Sequence, residues 1–321
     1  MKKLSIIIPL FNVEKFVCRV AESIRSQVFD GLEVILVDDG SSDNSLEAAK
    51  AQLTGVDVKS IKQENTGPGG ARNTGINEAA GEYLYFIDAD DFLLPNALSN
   101  ILKELEAHSP DVLLTRYVGW MPQKGFLPEK SYNFNPPATR KERTEYILGA
   151  LPEPAWNVWR YVCRRSLVLD NKLFFKPSVY AQDVPWVLSL LESADTLAFL
   201  QEPIYAYYYR RPNSIVNTLG VKRLKDLNGL VGDLLKQYKD RPQLCGLLVQ
   251  QPVLYINEYC ALKRTERKKM RESYSRIFPL FRHSGRLFHR IIAKVYNRFF
   301  LYFFSVALFI TKRINRKVKY G

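Results

Sequence analysis

Three carboxylates stand within four residues at Asp88-Ala89-Asp90-Asp91, directly after the apolar run Tyr83-Leu84-Tyr85-Phe86-Ile87. Like charges at that spacing repel one another unless a cation sits among them. Hard divalent cations prefer oxygen ligands, and a Mg2+-sized ion is commonly shared between one or two carboxylates and the phosphates of a substrate. A solvated acidic turn that caps the next helix is an equal reading of these residues taken alone. A second acidic turn, Asp38-Asp39-Gly40-Ser41-Ser42-Asp43, also follows an apolar run. Ser42 or Asp43 suits a helix cap. Asp38 and Asp39 come too early for both to cap, and a carboxylate there can accept an imide N–H such as that of uracil. Gly67-Pro68-Gly69-Gly70-Ala71-Arg72-Asn73 is a glycine-rich turn entering a helix. Free N–H groups at a helix start and a guanidinium beside them suit phosphate. The turn is not G-x-G-x-x-G, and no Walker A, H-E-x-x-H or G-x-S-x-G motif occurs in the chain.

These turns need a scaffold, and the first 115 residues supply a pattern for one. Short apolar runs at residues 4–8, 33–37, 56–61, 83–87 and 112–114 alternate with helical spacing at 14–27, 43–51 and 70–80. Pro95 opens a further helix carrying Leu98, Ile101, Leu102 and Leu105. Near-continuous apolar strands alternating with helices predict an α/β fold with a mostly parallel sheet covered on both faces. Ligands in such sheets bind beyond the carboxyl ends of the strands, where all three polar turns fall. Residues 119–137 read as loop, 144–151 as a short helix and 183–191 as a helix. Residues 197–200 and 204–209 read as strands, and the chain after Asn217 as helical throughout. Trp156 and Trp159 fit either a core or an acceptor-stacking role.

The net charge of +13 is unevenly placed. Residues 261–321 hold 17 Lys and Arg against Glu266 and Glu272, a surplus of 15, while the first 260 residues are close to neutral. Arg282, Arg286, Arg290, Lys294 and Arg298 recur every four residues with apolar pairs between them, which predicts a helix with one basic and one apolar face. The uncharged run 299–310 spans only about 18 Å as a helix, short of the roughly 30 Å a bilayer core requires. A tail lying on an acidic membrane surface is expected rather than a spanning one. Nucleic acid is not expected as a partner, because no recognised reading module is present. Cys18, Cys163, Cys245 and Cys260 form no C-x-x-C pair and suggest neither zinc nor a disulfide framework. The apolar start is stopped at Pro9 with no small-residue cleavage site after it, so a buried first strand is expected rather than a signal peptide.

Taken in order, the motifs resemble glycosyltransferase family 2. They are Pro9-Leu10-Phe11-Asn12-Val13-Glu14, Val37-Asp38-Asp39-Gly40-Ser41-Ser42-Asp43, Ala71-Arg72-Asn73-Thr74-Gly75, Gly81-Glu82-Tyr83 and Asp88-Ala89-Asp90-Asp91. The resemblance covers roughly residues 3–214. It implies a GT-A (Rossmann-like) fold divided into a nucleotide-sugar half at 1–115 and an acceptor half at 116–217, with a basic helical region at 218–321. It also implies inverting transfer from a nucleoside-diphosphate sugar, most often UDP-linked, with Mg2+ or Mn2+. Pro9, Phe11, Asn12, Asp39, Arg72, Asp88 and Ala89 are then the nucleotide-facing set, with Phe11 where a Tyr is commoner. Asp39 would read the uracil, Arg72 would lie beside the base, Asp88 on the ribose side, and Asp90 would ligate the metal with Asp91 in support. The family's Glu-Asp pair corresponds to Gln182-Asp183, which makes Asp183 the base and halves the usual pair of carboxylates. Arg210, in the segment that closes the domain, would approach the leaving diphosphate.

The expected acceptor is a glycan or lipid-linked glycan of the cell surface, reached at the inner face of the cytoplasmic membrane. The chain lacks a Q-x-x-R-W segment, so one sugar per encounter is expected rather than processive synthesis. Two alternatives stay open on the sequence. One is a nucleotidyltransferase on a similar sheet, which would want a glycine-rich signature loop where Pro9-Leu10-Phe11-Asn12 stands. The other is a catalytically inactive, membrane-associated relative, to which Gln182 gives some weight.

Overall fold

The computed structural model describes residues 2–127, 139–150, 155–209 and 221–254, and beyond them 265–266, 270 and 276–283. Its first half is β1 (Leu4–Leu10), α1 (Glu14–Arg25), β2 (Leu32–Asp38), α2 (Ser45–Gln52), β3 (Val58–Lys62), α3 (Gly67–Glu78) and β4 (Tyr83–Phe86). These strands are parallel in the order β3-β2-β1-β4. Successive strand side chains face opposite ways. Accordingly Ile6, Ile8 and Leu10 of β1 join Val17, Val20 and Ile24 of α1 in one apolar cluster, while Ile7 meets α3 on the other face. Strand β1 runs two residues past the apolar run that predicts it. Pro9 is tolerated there because β4 pairs only as far as Ile7, so no partner on that side requires the missing N–H.

The second half is β5 (Phe92–Leu93), α4 (Ala97–His108), β6 (Val112–Met121), β7 (Gly125–Phe126), α5 (Arg140–Ala150), a 3-10 turn at Val158–Arg160, β8 (Tyr161–Arg164), α6 (Arg165–Asp170), α7 (Asp183–Ser193) and β9 (Leu197–Tyr208). The sheet continues from β4 as β8-β6-β9-β5, with β7 folding back on β6. Here the strands are mixed. β6 and β9 are parallel, while β8 runs antiparallel to β4 and β6, and β5 antiparallel to β9. Two elements exceed the sequence expectation. The segment read as loop from Gly119 instead completes β6 and its short hairpin with β7. The two strands expected at 197–200 and 204–209 are one, because the β6–β9 register shifts around Arg116 and Pro203 sits at that irregularity. Beyond the shift β9 brings Tyr205 and Ala206 against β5, immediately after the acidic motif.

The chain divides into two compact units, Met1–Pro212 and Asn213–Gly321. The first contains the sheet. The second contains α8 (Val221–Gln237), α9 (Pro242–Leu254) and a 3-10 helix at Phe278–His283. Leu224, Leu227, Val231 and Leu235 form a buried stripe on α8 at helical spacing. Among the described residues no helix is long and apolar enough to cross a membrane. Apart from Arg282 and His283, the basic helix and the uncharged run expected at 282–310 lie outside the described residues, as does Arg210.

Close packing of α3 on β1 rests on Gly75, where an added Cβ would stand 2.3 Å from Ile7 Cγ2. In an open helix Gly→Ala is favourable by about 0.5–1 kcal/mol. Gly75→Ala should instead destabilise by about 1–3 kcal/mol through overpacking, measured by urea unfolding. A stabilised variant would contradict this packing.

Candidate active site

Two loops beyond β1 and β2 are tied together by short polar side chains. Asn12 adopts a left-handed backbone (φ 51°), which asparagine tolerates better than most residues. Its Oδ1 accepts the Ser42 N–H at 2.8 Å, and its own N–H donates to Ser41 Oγ at 3.1 Å. Asp38 Oδ1 accepts the Ser41 N–H at 3.0 Å, closing the turn. Asp43 accepts N–H groups from Glu14 and Ser45, so it serves the starts of both α1 and α2. Phe11, between these ties, is 47% exposed at the rim.

Asp39 is buried, and the hydrogen bonds it receives converge on one oxygen. Oδ1 accepts Gln63 Nε2 at 2.8 Å, the Thr66 N–H at 2.9 Å and Thr66 Oγ1 at 3.3 Å. A carboxylate anchored this way at Oδ1 keeps Oδ2 as an acceptor aimed by its surroundings. Thr66 opens α3, and its carbonyl accepts the backbone N–H of Ser178 at 2.7 Å.

The acidic motif follows β4, and its members part company. Asp88 and Asp90 are half-buried, whereas Asp91 is 1% exposed. Asp88 Oδ1 accepts Arg72 Nη2 at 2.7 Å, and Arg72 is itself buried. Asp91 accepts Tyr205 Oη and the Tyr208 N–H. Burial pushes the Asp91 carboxyl well above the usual carboxylate range, and the charges of Asp90 and Asp88 push the same way. Ala89 turns its methyl into the core.

Asp183 is the first residue of α7, and its Oδ1 accepts the Val184 N–H at 3.2 Å. Desolvation raises its pKa to about 6, against the lowering effect of Arg72; Asp88 adds to the rise. Aromatic packing fixes this helix start. Trp186 donates Nε1–H to the Leu173 carbonyl at 3.0 Å and stacks on Phe175 at 4.6 Å, and both rings meet Phe86 edge-on. Asn73 then locks Phe175 to α3 through two 2.8 Å bonds, one to its carbonyl and one from its N–H. Arg72 and Asn73 therefore bring the acidic motif and Asp183 to one place.

Three comparisons bear on the family and the fold. The Glycosyl transferase family 2 model matches residues 5–155. The uncharacterised glycosyltransferase EpsJ of Bacillus subtilis is 32% identical over 214 residues, covering 66% of this chain and 62% of its own length. The uncharacterised glycosyltransferase YibD of Escherichia coli is 30% identical over 235 residues, covering 70% of this chain and 66% of its own length. The chain belongs to glycosyltransferase family 2. It spans somewhat less than two thirds of the length of these relatives. Its fold is similar to that of TarS 1-349 from Staphylococcus aureus in complex with UDP, with a TM-score of 0.69 at 19% identity, covering 95% of this chain and 88% of that one.

Of the residues that the family 2 resemblance singles out, Arg72, Asp88 and Asp183 come together, with Asp90 and Asp91 on the same turn. Arg72, expected beside the base, has its guanidinium on Asp88. Asn12 engages its side chain with Ser42. Trp156 and Trp159 are core residues, Trp159 stacking on Tyr205 at 4.5 Å. Thr66, Gln63, Phe175 and Tyr205 escape the sequence reading because their partners are distant in the chain. Among the described residues no three Asp, Glu, His or Cys side chains form a group that could hold a metal ion. The donor set still fits a divalent cation shared with a diphosphate, since Asp90 offers hard oxygens in a turn whose negative charge already presses on Asp91.

The raised Asp183 pKa sets a stability prediction. The fold favours the protonated carboxyl, so the contribution of Asp183 to stability is full below about 4 and lost as pH rises to about 6. Asp183→Asn should therefore stabilise the protein at pH 8, by about 1–2 kcal/mol after solvent screening, and leave it unchanged at pH 4. Thermal unfolding at the two pH values checks this.

Proposed function

We propose that this family 2 member is an inverting glycosyltransferase that moves one sugar from a UDP-sugar to a hydroxyl of a glycan or lipid-linked glycan. The product would be cell-surface polysaccharide. The observation that carries this reading is a desolvated carboxylate, Asp183, with a pKa of about 6 beside Arg72 and the acidic motif. A general base works best when its pKa lies near the operating pH. Asp39 supports a uracil reading, with Oδ1 anchored and Oδ2 left to accept an imide N–H. The complex of TarS with UDP and a companion structure of TarS with UDP-GlcNAc support the same nucleotide. Phe11, exposed beside Asn12, offers a flat apolar face to the base.

In the proposed reaction the acceptor oxygen attacks the anomeric carbon while its proton passes to Asp183. The new C–O bond forms as the bond from that carbon to the diphosphate oxygen breaks, and UDP leaves with the electron pair. Attack opposite the leaving group inverts the anomeric configuration. Arg72 holds Asp88 by its 2.7 Å ion pair and would orient it on the ribose side. A bound Mg2+ or Mn2+, with Asp90 the residue to hold it, would offset the charge growing on the diphosphate. Gln182 is neutral, so Asp183 is not pushed further toward protonation by an adjacent carboxylate.

Asp183→Asn should lower kcat by about 10²–10⁴ while leaving UDP binding intact, and in the unaltered enzyme kcat should rise with pH through about 6. Asp90→Asn should abolish the part of UDP-induced thermal stabilisation that requires Mn2+. A variant pair that matches the unaltered protein in turnover and in UDP binding would sink the mechanism, and an unaltered protein that binds UDP without turnover would favour the inactive-relative reading.

The surplus of 15 positive charges in residues 261–321 supports peripheral attachment to the inner face of the cytoplasmic membrane. Truncation after His283 should release the protein from vesicles containing anionic lipid without changing its binding to UDP. Retained vesicle binding in a sedimentation assay would remove the tail from this role.

A further inference from the structure

The acidic motif is held from behind by one hydroxyl. Tyr205 lies on β9 and is fully buried. Its Oη donates to Asp91 Oδ2 at 2.6 Å and accepts the backbone N–H of Asp88 at 3.2 Å. The Asp91 N–H in turn donates to the Asp88 carbonyl at 3.1 Å. The turn from 88 to 91 is thus closed into a ring, with the tyrosine hydroxyl as its clasp. Asp91 Oδ1 is secured separately by the Tyr208 N–H at 2.7 Å. The clasp cannot drift, because Trp159 stacks on the Tyr205 ring at 4.5 Å and an interplanar angle of 2°. Residues 205 and 206 are pinned to β5, the strand that begins directly after Asp91.

We propose that Tyr205 is a positioning residue for the acidic motif, fixing the turn so that Asp90 presents its oxygens to a diphosphate-bound cation while Asp88 stays on Arg72. This rests on the function proposed above. The chemistry requires a group that donates on one side and accepts on the other. A carboxylate at 91 needs a donor and the N–H at 88 needs an acceptor, and a tyrosine hydroxyl supplies both. Small divalent ions demand near-ideal ligand geometry, and outer groups that orient their ligands commonly govern affinity tenfold to a hundredfold.

Tyr205→Phe keeps the stacked ring and removes only the clasp. With UDP held constant, Mn2+ is titrated and the rise in melting temperature followed. The variant should need about tenfold more Mn2+ for half of the effect, yet reach the same rise at saturation. Tyr161→Phe serves as the measure of a purely structural loss, since it strips a buried hydroxyl bond of 2.6 Å to the Ala155 carbonyl, on β8. It should lower the melting temperature without moving the Mn2+ midpoint. An unmoved midpoint in Tyr205→Phe, or an equal shift in Tyr161→Phe, overturns the proposal. If Tyr205→Phe does not fold, Asp91→Asn decides, because it disrupts the clasp from the other side; it should shift the midpoint similarly, and an unmoved one overturns the proposal. An unaltered protein whose UDP binding ignores Mn2+ overturns the cation-assisted function itself, and this inference with it.

Discussion

The strand ends are arranged around the ion pair between Arg72 and Asp88. Three carboxylates on one turn and a fourth at the start of α7 would repel one another in a desolvated setting. Arg72 stands where its charge acts on two of them, bonding Asp88 directly and lowering the pKa of Asp183 against the effect of burial. Arg72 is buried while Asp88 is half-exposed, so solvent screens the pair, and removing Asp88 chiefly leaves the buried guanidinium without this partner. The glycines of Gly67-Pro68-Gly69-Gly70 let the helix that carries Arg72 come close enough. An added Cβ on Gly69 would stand 3.1 Å from Gln182 Oε1, the Lys176 carbonyl oxygen and Phe175 Cβ.

The same helix also helps to place Asp183. Asn73, one residue after Arg72, grips the Phe175 backbone in both directions; Phe175 supports Trp186; and Trp186 lies one helical turn beyond Asp183. A ring 4.6 Å from its neighbour cannot tilt without opening a void, and voids in aromatic packing cost several kcal/mol. Rigid packing thus performs the orienting that hydrogen bonds perform at Asp39 and Asp91. It also explains why Asp183 can be desolvated without a strong partner of its own.

Sequence legibility follows the range of the interactions. The alternation that gives β1 to β4 is local, and so is the placement of Asp39, Asp88 and Asp90 at strand ends. The second half is less legible because its pairings are long-range. β9 is one strand only because a register shift accommodates Pro203, and no pattern within residues 197–209 signals that. Trp159 could be read as sugar-facing because an aromatic in a polar stretch fits both roles; stacking on Tyr205 and Tyr207 puts it in the core. Arg72 was legible as a basic residue at a phosphate-like turn, but its bond to Asp88 depends on the angle between α3 and β4. The link from Tyr205 to Asp91 spans 114 residues and has no sequence signature.

The loop before α7 holds Ser178 and Ala181 in left-handed backbone, at φ 56° and 57°, a conformation that non-glycine residues enter at a cost of about 1 kcal/mol or more each. What secures that loop on its far side is the Thr66 carbonyl, and the same Thr66 gives its N–H to Asp39. One residue is therefore shared between the wall that carries Asp39 and the segment that carries Asp183. Thermodynamic linkage makes such sharing reciprocal. Under the proposed function, a ligand that firmed Thr66 from the Asp39 side would also steady the loop, and one that ordered the loop would firm Asp39 by the same factor. Coupling of this kind runs equally in both directions, and it hangs on the N–H and the carbonyl of one residue, Thr66.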